Sequence, residues 1–459
     1  MQNRFNALLF GSCLAVGTFS PNVLSASSKV KETKPNILLI LADDLGLGDL
    51  SCQYAKDIRT PNIDRIFNTG LRLTNCHANS TVSSPSRAGL LTGKFPAMVG
   101  VPGVIRTKAY QCWWDLQAGV IMLPQVLKDN DYNTALIGKW HLGYETPNTP
   151  NEKGFDFFHG FLGDMMDDYY THLRHDINYM RLNEKTINPE GHATDIFTDW
   201  GIDYIRKQSA EDNPFFLYLA YNAPHDPLQP PVDFLNTVKE RENGIPEKRA
   251  KLVAMIEHLD YNIGKVMKCL QETNQLDNTI VIFTSDNGGY KASMANNGPT
   301  RGYKGDMYEG GLRVPCAVNM PNVFEGGKEI DNFIMLSDFM PTLCDYIGIK
   351  LEHEIDGISV LPCWKGEEQD TEDRYIFWVR NENGKDFCGK SQSAIRYKSY
   401  KLLQNRPTKP MEFYNIAVDS LETSPLELDG EEYLKLQIKL TEFYRIWGKI
   451  PYTKNRHDR

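Results

Sequence analysis

What the chain lacks narrows it first. None of its nine cysteines forms a C-x-x-C pair, which excludes a zinc ribbon or a thioredoxin-type motif. It has no run of lysine and arginine, and 59 acidic against 50 basic residues leave a formal charge of −9. A basic nucleic-acid face is therefore not expected. Beyond the first residues no apolar stretch approaches about 18 residues, so no membrane span is expected in the mature chain. No internal repeat is present, which argues against a solenoid.

What is present is globular. The 459 residues are 41% apolar and 11% aromatic, enough for a large domain with a smaller partner. Residues 1–26 read as a secretory signal: Arg4 gives a basic start, Ala7–Gly17 is almost wholly apolar, and Ser25 and Ala26 supply small residues for cleavage. Lipidation at Cys13 is the alternative, although Phe10-Gly-Ser12 fits such a site poorly. An exported protein follows as the expectation. The other eight cysteines, Cys52, Cys76, Cys112, Cys269, Cys316, Cys344, Cys363 and Cys388, are scattered and read mostly as small buried residues.

Four short apolar runs have a common form. Asn36–Ala42 leads into Asp43-Asp44, and Thr134–Ile137 leads into Gly138-Lys-Trp-His141. Phe215–Ala220 leads to His225, and Thr279–Phe283 to Ser285-Asp-Asn-Gly-Gly289. Such runs, bounded by turn residues, are strands buried on both faces. The amphipathic stretches Pro61–Phe67, Leu123–Lys128, Thr194–Lys207 and Lys248–Cys269 lie between them, with Thr194 a candidate cap. The pattern predicts an α/β domain over residues 27–366, a large mostly parallel sheet covered by helices on both faces. Residues 367–459 form a second unit. Tyr375–Val379, Ser393–Tyr397, Tyr400–Leu403 and Glu412–Asn415 read as a small antiparallel sheet, and Leu434–Trp447 as a closing helix.

Ligand sites in open parallel sheets lie beyond the carboxyl ends of the strands. All four runs end there in groups that bind metals or move protons. Asp43 and Asp44 repel each other unless a cation joins them, and Asp286-Asn287 repeats the arrangement on another strand. Ligands made of oxygen alone favour a hard divalent ion, Ca²⁺ or Mg²⁺, over zinc. Lys139 and His141 lie two apart and would point the same way in extended chain. Lys304 sits in a loop rich in glycine and charge. In Ser83-Ser-Pro-Ser-Arg-Ala-Gly-Leu-Leu-Thr-Gly93, Pro85 suits a helix start and Ser83 or Ser84 a cap. Arg87 is misplaced by that reading, because a helix N-terminus disfavours a cation unless carboxylates or a bound anion offset it.

This eleven-residue stretch resembles the signature of type I sulfatases, [C/S]-x-P-S-R-x-x-x-L-T-G. Pro35–Gly46, Gly138–Gly143, Ala223-Pro-His225, Ser285–Gly288 and Tyr303–Pro315 are similar to other blocks of that family. The resemblance runs from about Pro35 to Glu427 and implies the fold of the alkaline phosphatase superfamily. It also implies that Ser83 is oxidised to Cα-formylglycine, as in the serine variant matured by an anaerobic bacterial enzyme, and with that a bacterial, periplasmic location. By the same resemblance, Asp43, Asp44, Asp286, Asn287 and the Ser83 side chain hold Ca²⁺, and Arg87 and Lys139 orient the hydrated aldehyde. Lys139 and Lys304 offset charge on the sulfate, His225 with Lys304 protonates the leaving alcohol, and His141 takes the proton that releases sulfate.

For the substrate, Gly160–His172 is aromatic and acidic, and is similar to the corresponding part of arylsulfatase B-like enzymes. Asp167, Asp168, His172, His175 and Arg301 are the candidate sugar contacts. A sulfated oligosaccharide of the galactose or N-acetylgalactosamine type, losing O-sulfate at its end, is the expectation. The rival readings are a phosphonate monoester or phosphodiester hydrolase, and a glycan-binding protein in which Ser83 stays serine.

Overall fold

The strand Asn36–Ala42 alternates its side chains between two cores. Ile37, Leu39 and Leu41 enter one, and Leu38, Ile40 and Ala42 the other. A strand with both faces covered has no use for polar positions, which is why its sequence is a continuous apolar run. Each such leucine or isoleucine contributes about 1.5–3 kcal/mol by leaving water. The computed structural model describes residues 34–108, 114–382 and 390–451. The signal-like segment, Cys13, Cys112 and Cys388 lie outside the described residues.

Asn36–Ala42 lies between Phe215–Ala220 and Thr279–Ser285 and is parallel to both. Asn133–Lys139 is the next strand, parallel to Phe215–Ala220, with Phe157–Phe161 beyond it. Among the described residues the whole sheet has ten strands. Antiparallel members flank its parallel centre, Cys316–Asn319 on one side and Met180–Leu182 on the other. The register aligns the carboxyl ends: Ala42 pairs with Ser285, Leu41 with Ala220, and Ala220 with Gly138. Asp43, Asp286 and Lys139 thus leave the sheet at one edge.

The helices Ser83–Thr92, Leu123–Lys128 and Phe339–Tyr346 cover one face, and Pro61–Thr69, Ala193–Gln208 and Glu247–Glu272 the other. Glycine matters most at Gly138, where φ is +104° and a Cβ would lie 1.9 Å from the Ala220 carbonyl oxygen. The strands Ile376–Asn381, Ser391–Tyr397, Tyr400–Gln404 and Glu412–Asn415 form the expected antiparallel sheet. One face packs Leu436 and Leu440 of the helix Gly430–Trp447. The other packs Trp378, Ala394, Leu403 and Tyr414 against Met307, Leu312, Phe333 and Met335.

Two expectations about helix starts are corrected. Thr194 does not cap Ala193–Gln208; His192 does, its Nδ1 accepting from the Thr194 N–H. Neither Ser83 nor Ser84 caps Ser83–Thr92, whose first residues follow an extended Val82. The six described cysteines are free thiols, five of them buried and Cys52 partly so. No helix among the described residues is long and apolar enough to cross a membrane.

Candidate active site

At the shared strand edge the chain turns sharply. Asp44 has φ +64°, and its N–H donates to Asp286 Oδ1 at 3.2 Å. Asn287 Nδ2 donates to Asp44 Oδ1 at 2.7 Å, leaving its own Oδ1 facing Ser83. Three carboxylates are now close together and buried, a costly arrangement without opposite charge. Three cations supply it. Lys139 Nζ lies 2.5 Å from Asp43 Oδ2, and Lys304 Nζ 2.7 Å from Asp44 Oδ2. Arg87 donates through Nε and Nη2 to Asp286 Oδ2 at 3.1 and 3.0 Å.

The electrostatics follow from this packing. Burial pushes the Asp286 carboxyl up to about 6, aided by Asp43 and opposed by Arg87. Burial also raises Asp43, but Lys139, His225, Arg87 and Lys304 outweigh it and hold that carboxyl well below its usual range. Burial lowers Lys304, yet Asp44 and Asp43 outweigh it and leave the ammonium above its ordinary value. Lys139 is lowered, because burial exceeds the pull of Asp43.

The three serines of the opening stretch separate into three roles. Ser83 is the first helical residue, and its Oγ lies 3.1 Å from Asp43 Oδ1 and 3.4 Å from Asn287 Oδ1. Ser84 Oγ accepts from the Ile105 N–H, and Ser86 Oγ from the Asn79 N–H. Arg87 is no longer misplaced, since Asp286 and Asp43 face it and Nη1 donates to the Lys139 carbonyl. Gly93 closes the helix in the left-handed conformation at φ +65°.

His141 does not continue an extended chain beside Lys139. Its φ is +63°, and Nε2 reaches the Ile105 carbonyl at 3.0 Å. Nε2 therefore carries the proton, and Nδ1 is a buried lone pair without a partner. Burial, Lys139 and Arg87 hold this imidazole well below its usual value, hence neutral. His225 is the mirror case. Nδ1 donates to the Asp226 carbonyl at 2.6 Å, and Nε2 faces Asp44 Oδ2 at 3.5 Å. Burial and Lys304 lower it, against Asp44 and Asp43.

Asp43, Asp44, Asp286 and Asn287 fit a hard divalent ion. Asp43 Oδ1 and Asn287 Oδ1 converge on the Ser83 hydroxyl, and two more carboxylates adjoin them. Asp43, Asp44 and His225 also bring one ligand atom each within 4.8 Å of one another. A second such group, His192, Asp195 and His258, was not read from the sequence; its members are engaged with one another and with the Thr194 N–H.

The candidate sugar contacts are placed differently. Asp167 accepts from Arg174 and the His175 N–H, and Asp168 from the Tyr170 and Thr171 N–H groups and Gln229 Nε2. These oxygens shape the loop itself. His172 bonds the Gly191 carbonyl, and His175, like His172, has positive φ. Arg301 stacks 3.8 Å over Tyr308 and donates to Tyr414 and the Glu422 carbonyl. Tyr169, next to Asp168, is buried, and its hydroxyl is placed to donate to the Asn222 carbonyl at 2.8 Å or the His225 carbonyl at 2.9 Å. Tyr169→Phe should lower stability by about 1 kcal/mol and loosen the His225 turn, seen as a lower unfolding midpoint in urea with a small loss of kcat.

Comparison with known proteins follows the same outline. The family model described as Sulfatase matches residues 35–349, and the one described as N-sulphoglucosamine sulphohydrolase, C-terminal, matches residues 303–445. N-acetylgalactosamine-6-sulfatase of Canis lupus familiaris is 29% identical, over 89% of this chain and 84% of that one. The crystal structure of Ps i-CgsB in complex with k-i-k-neocarrahexaose is similar at 29% identity with a TM-score of 0.83, covering 93% of this chain and 96% of the other. The phosphonate monoester hydrolase of Agrobacterium radiobacter, at 20% identity and a TM-score of 0.64 over 90% of this chain and 95% of that one, shares the fold.

Proposed function

Because the chain belongs to the sulfatase family, and with it to the sulfuric ester hydrolases, we propose that it removes O-sulfate from the ends of glycans bearing sulfated galactose or N-acetylgalactosamine. The name of the canine relative and the oligosaccharide in the Ps i-CgsB complex support that substrate class. The observation that carries the reading is Ser83, whose Oγ lies between Asp43 Oδ1 and Asn287 Oδ1, with Asp43 in turn facing the buried Arg87 and Lys139.

In this reading Ser83 is oxidised to formylglycine, which supplies, once hydrated, one hydroxyl to attack sulfur and a second to let sulfate leave. Ca²⁺, held by Asp43, Asp44, Asp286 and Asn287, supplies positive charge that favours the ionised hydroxyl. The chain's own residues do the rest. Arg87 and Lys139 hold the Ser83 side chain and Asp43 in place. Lys139 and Lys304 face the charge that develops on the sulfate oxygens. His225, adjoining Lys304 through Asp44, would deliver a proton to the leaving alcohol from its imidazolium form, Nε2–H giving up the proton while Nδ1–H stays on the Asp226 carbonyl. His141 Nδ1, neutral and unpartnered, receives the proton that releases sulfate. Export to the periplasm, directed by residues 1–26, and maturation by an anaerobic enzyme complete the reading.

Mass spectrometry of the peptide containing Ser83, from protein produced with an anaerobic maturase, tests it. A residue lighter by two hydrogens is expected, together with sulfate release from a sulfated galactosaminide and little turnover of a bis-aryl phosphate. Unmodified serine in a protein inactive on every sulfated sugar would contradict it.

A further inference from the structure

A second group of cations adjoins the catalytic residues without taking part in the charge balance around Ser83. Gly305 follows Lys304, and its carbonyl accepts from Arg380 Nη1 at 3.4 Å. A Cβ on Gly305 would lie 2.6 Å from that nitrogen and 4.0 Å from Lys390 Nζ. Arg106 follows Ile105, whose carbonyl holds His141. Glu382 joins the two arginines: Oε1 accepts from Arg380 Nε at 3.0 Å and Oε2 from Arg106 Nη2 at 3.1 Å. Arg106, Arg380 and Lys390 thus face Glu382 and the nearby Asp306, in a chain of net charge −9.

Lys390 is the informative member. It is half-buried, and no carboxylate among the described residues lies within ion-pair reach of it. Burial and Arg380 push its ammonium below the ordinary lysine value. The Arg380 guanidinium repels this cation, Glu382 and Asp306 offset that cost only in part, and a bound anion would offset more of it. The planar arginines suit oxyanions, and the lysine adds a point charge.

We propose that Lys390, with Arg380 and Arg106, forms a subsite for a second anionic group of the glycan, a neighbouring sulfate or uronate carboxylate, while the sulfate to be cleaved lies at Ser83. This deepens the function proposed above and rests on it. The enzyme then prefers doubly charged ends over singly sulfated ones.

The test is titration calorimetry with Ser83→Ala protein, so that binding is read without turnover. The probes are a singly sulfated galactoside, its disulfated counterpart, and a singly sulfated galactosaminide carrying a neighbouring uronate. The protein should bind at least one doubly charged probe more tightly than the singly sulfated one, and the stronger of the two identifies the second anion. Adding Lys390→Gln should cut that preference about tenfold, the size of one charge-assisted contact, and Lys390→Arg should restore it. Equal affinity for all three probes, or a preference unchanged by Lys390→Gln, overturns the subsite. Aryl sulfate turnover by the mature enzyme, measured separately, tells that failure apart from failure of the sulfatase reading.

Discussion

Ser83→Ala will yield a folded protein that releases essentially no sulfate, with kcat down roughly a hundred-thousand-fold, as expected for a lost nucleophile. The fold should survive, because the helix does not depend on this side chain. Val82, not Ser83, stands at the N-cap position, and Ala88, Leu90 and Leu91 anchor the helix in the core. What disappears is one oxygen between Asp43 Oδ1 and Asn287 Oδ1. Turnover of an aryl sulfate and the thermal midpoint, measured together, decide the matter. A variant that keeps a tenth of the activity would remove Ser83 from the chemistry. A variant that fails to fold would show the hydroxyl to be structural.

The second large effect lies away from the reacting atoms. Lys401→Ala should destabilise the protein by about 3–5 kcal/mol, the usual consequence of leaving buried charges unpaired. Lys401 Nζ sits 2.8 Å from Glu309 Oε1 and 2.8 Å from Glu422 Oε1, all three buried. His77 Nε2 holds the other Glu309 oxygen at 2.7 Å, and Glu422 Oε2 accepts from the Glu309 N–H. Removing the lysine strands two carboxylates at once. A urea midpoint reads the loss, and a further Glu309→Gln change should recover part of it, since only one charge then stays unpaired. Burial raises the Glu309 carboxyl, but Lys401 and His77 outweigh it and hold it well below its usual range. A depressed folded value means that this pair's stabilisation is complete above the ordinary carboxylate range and fades only as pH falls through the folded value. The gap between parent and variant should therefore be widest near neutrality and narrow in strong acid. A gap independent of pH would show that packing, not charge, is what Lys401 contributes.

Legibility in the sequence depended on the range of the interactions. Asn36–Ala42 and Phe215–Ala220 were readable to the residue, because double burial leaves an uninterrupted apolar run. Thr134–Ile137 was read short, because Gly138 and Lys139, the strand's last residues, are not apolar. Leu71–Leu73 and Cys316–Asn319 were invisible, being strands of three and four residues that exist only through their neighbours. Asp43, Asp44, Lys139 and Asp286 were recoverable since each ends or follows a strand whose end the sheet aligns. Capping was misread at Ser83, Ser84 and Thr194 because side-chain identity does not reveal which backbone N–H a hydroxyl will meet. Asp167 and Asp168 accept backbone N–H groups of their own loop, a short-range use of these oxygens that composition alone does not reveal. The Glu309–Lys401–Glu422 network joins residues up to 113 apart and leaves no local trace.

Ser83 is 3% exposed, and every residue of its helix is buried. Once the sheet has closed, no large catalyst can draw that side chain into its own cleft without first undoing the core behind it. Oxidation of Ser83, as proposed, is thus an event of the nascent chain and competes in time with folding. A slower-folding sequence would be matured more completely, and a hyperstable one that folds early would be a well-built protein with an inert centre.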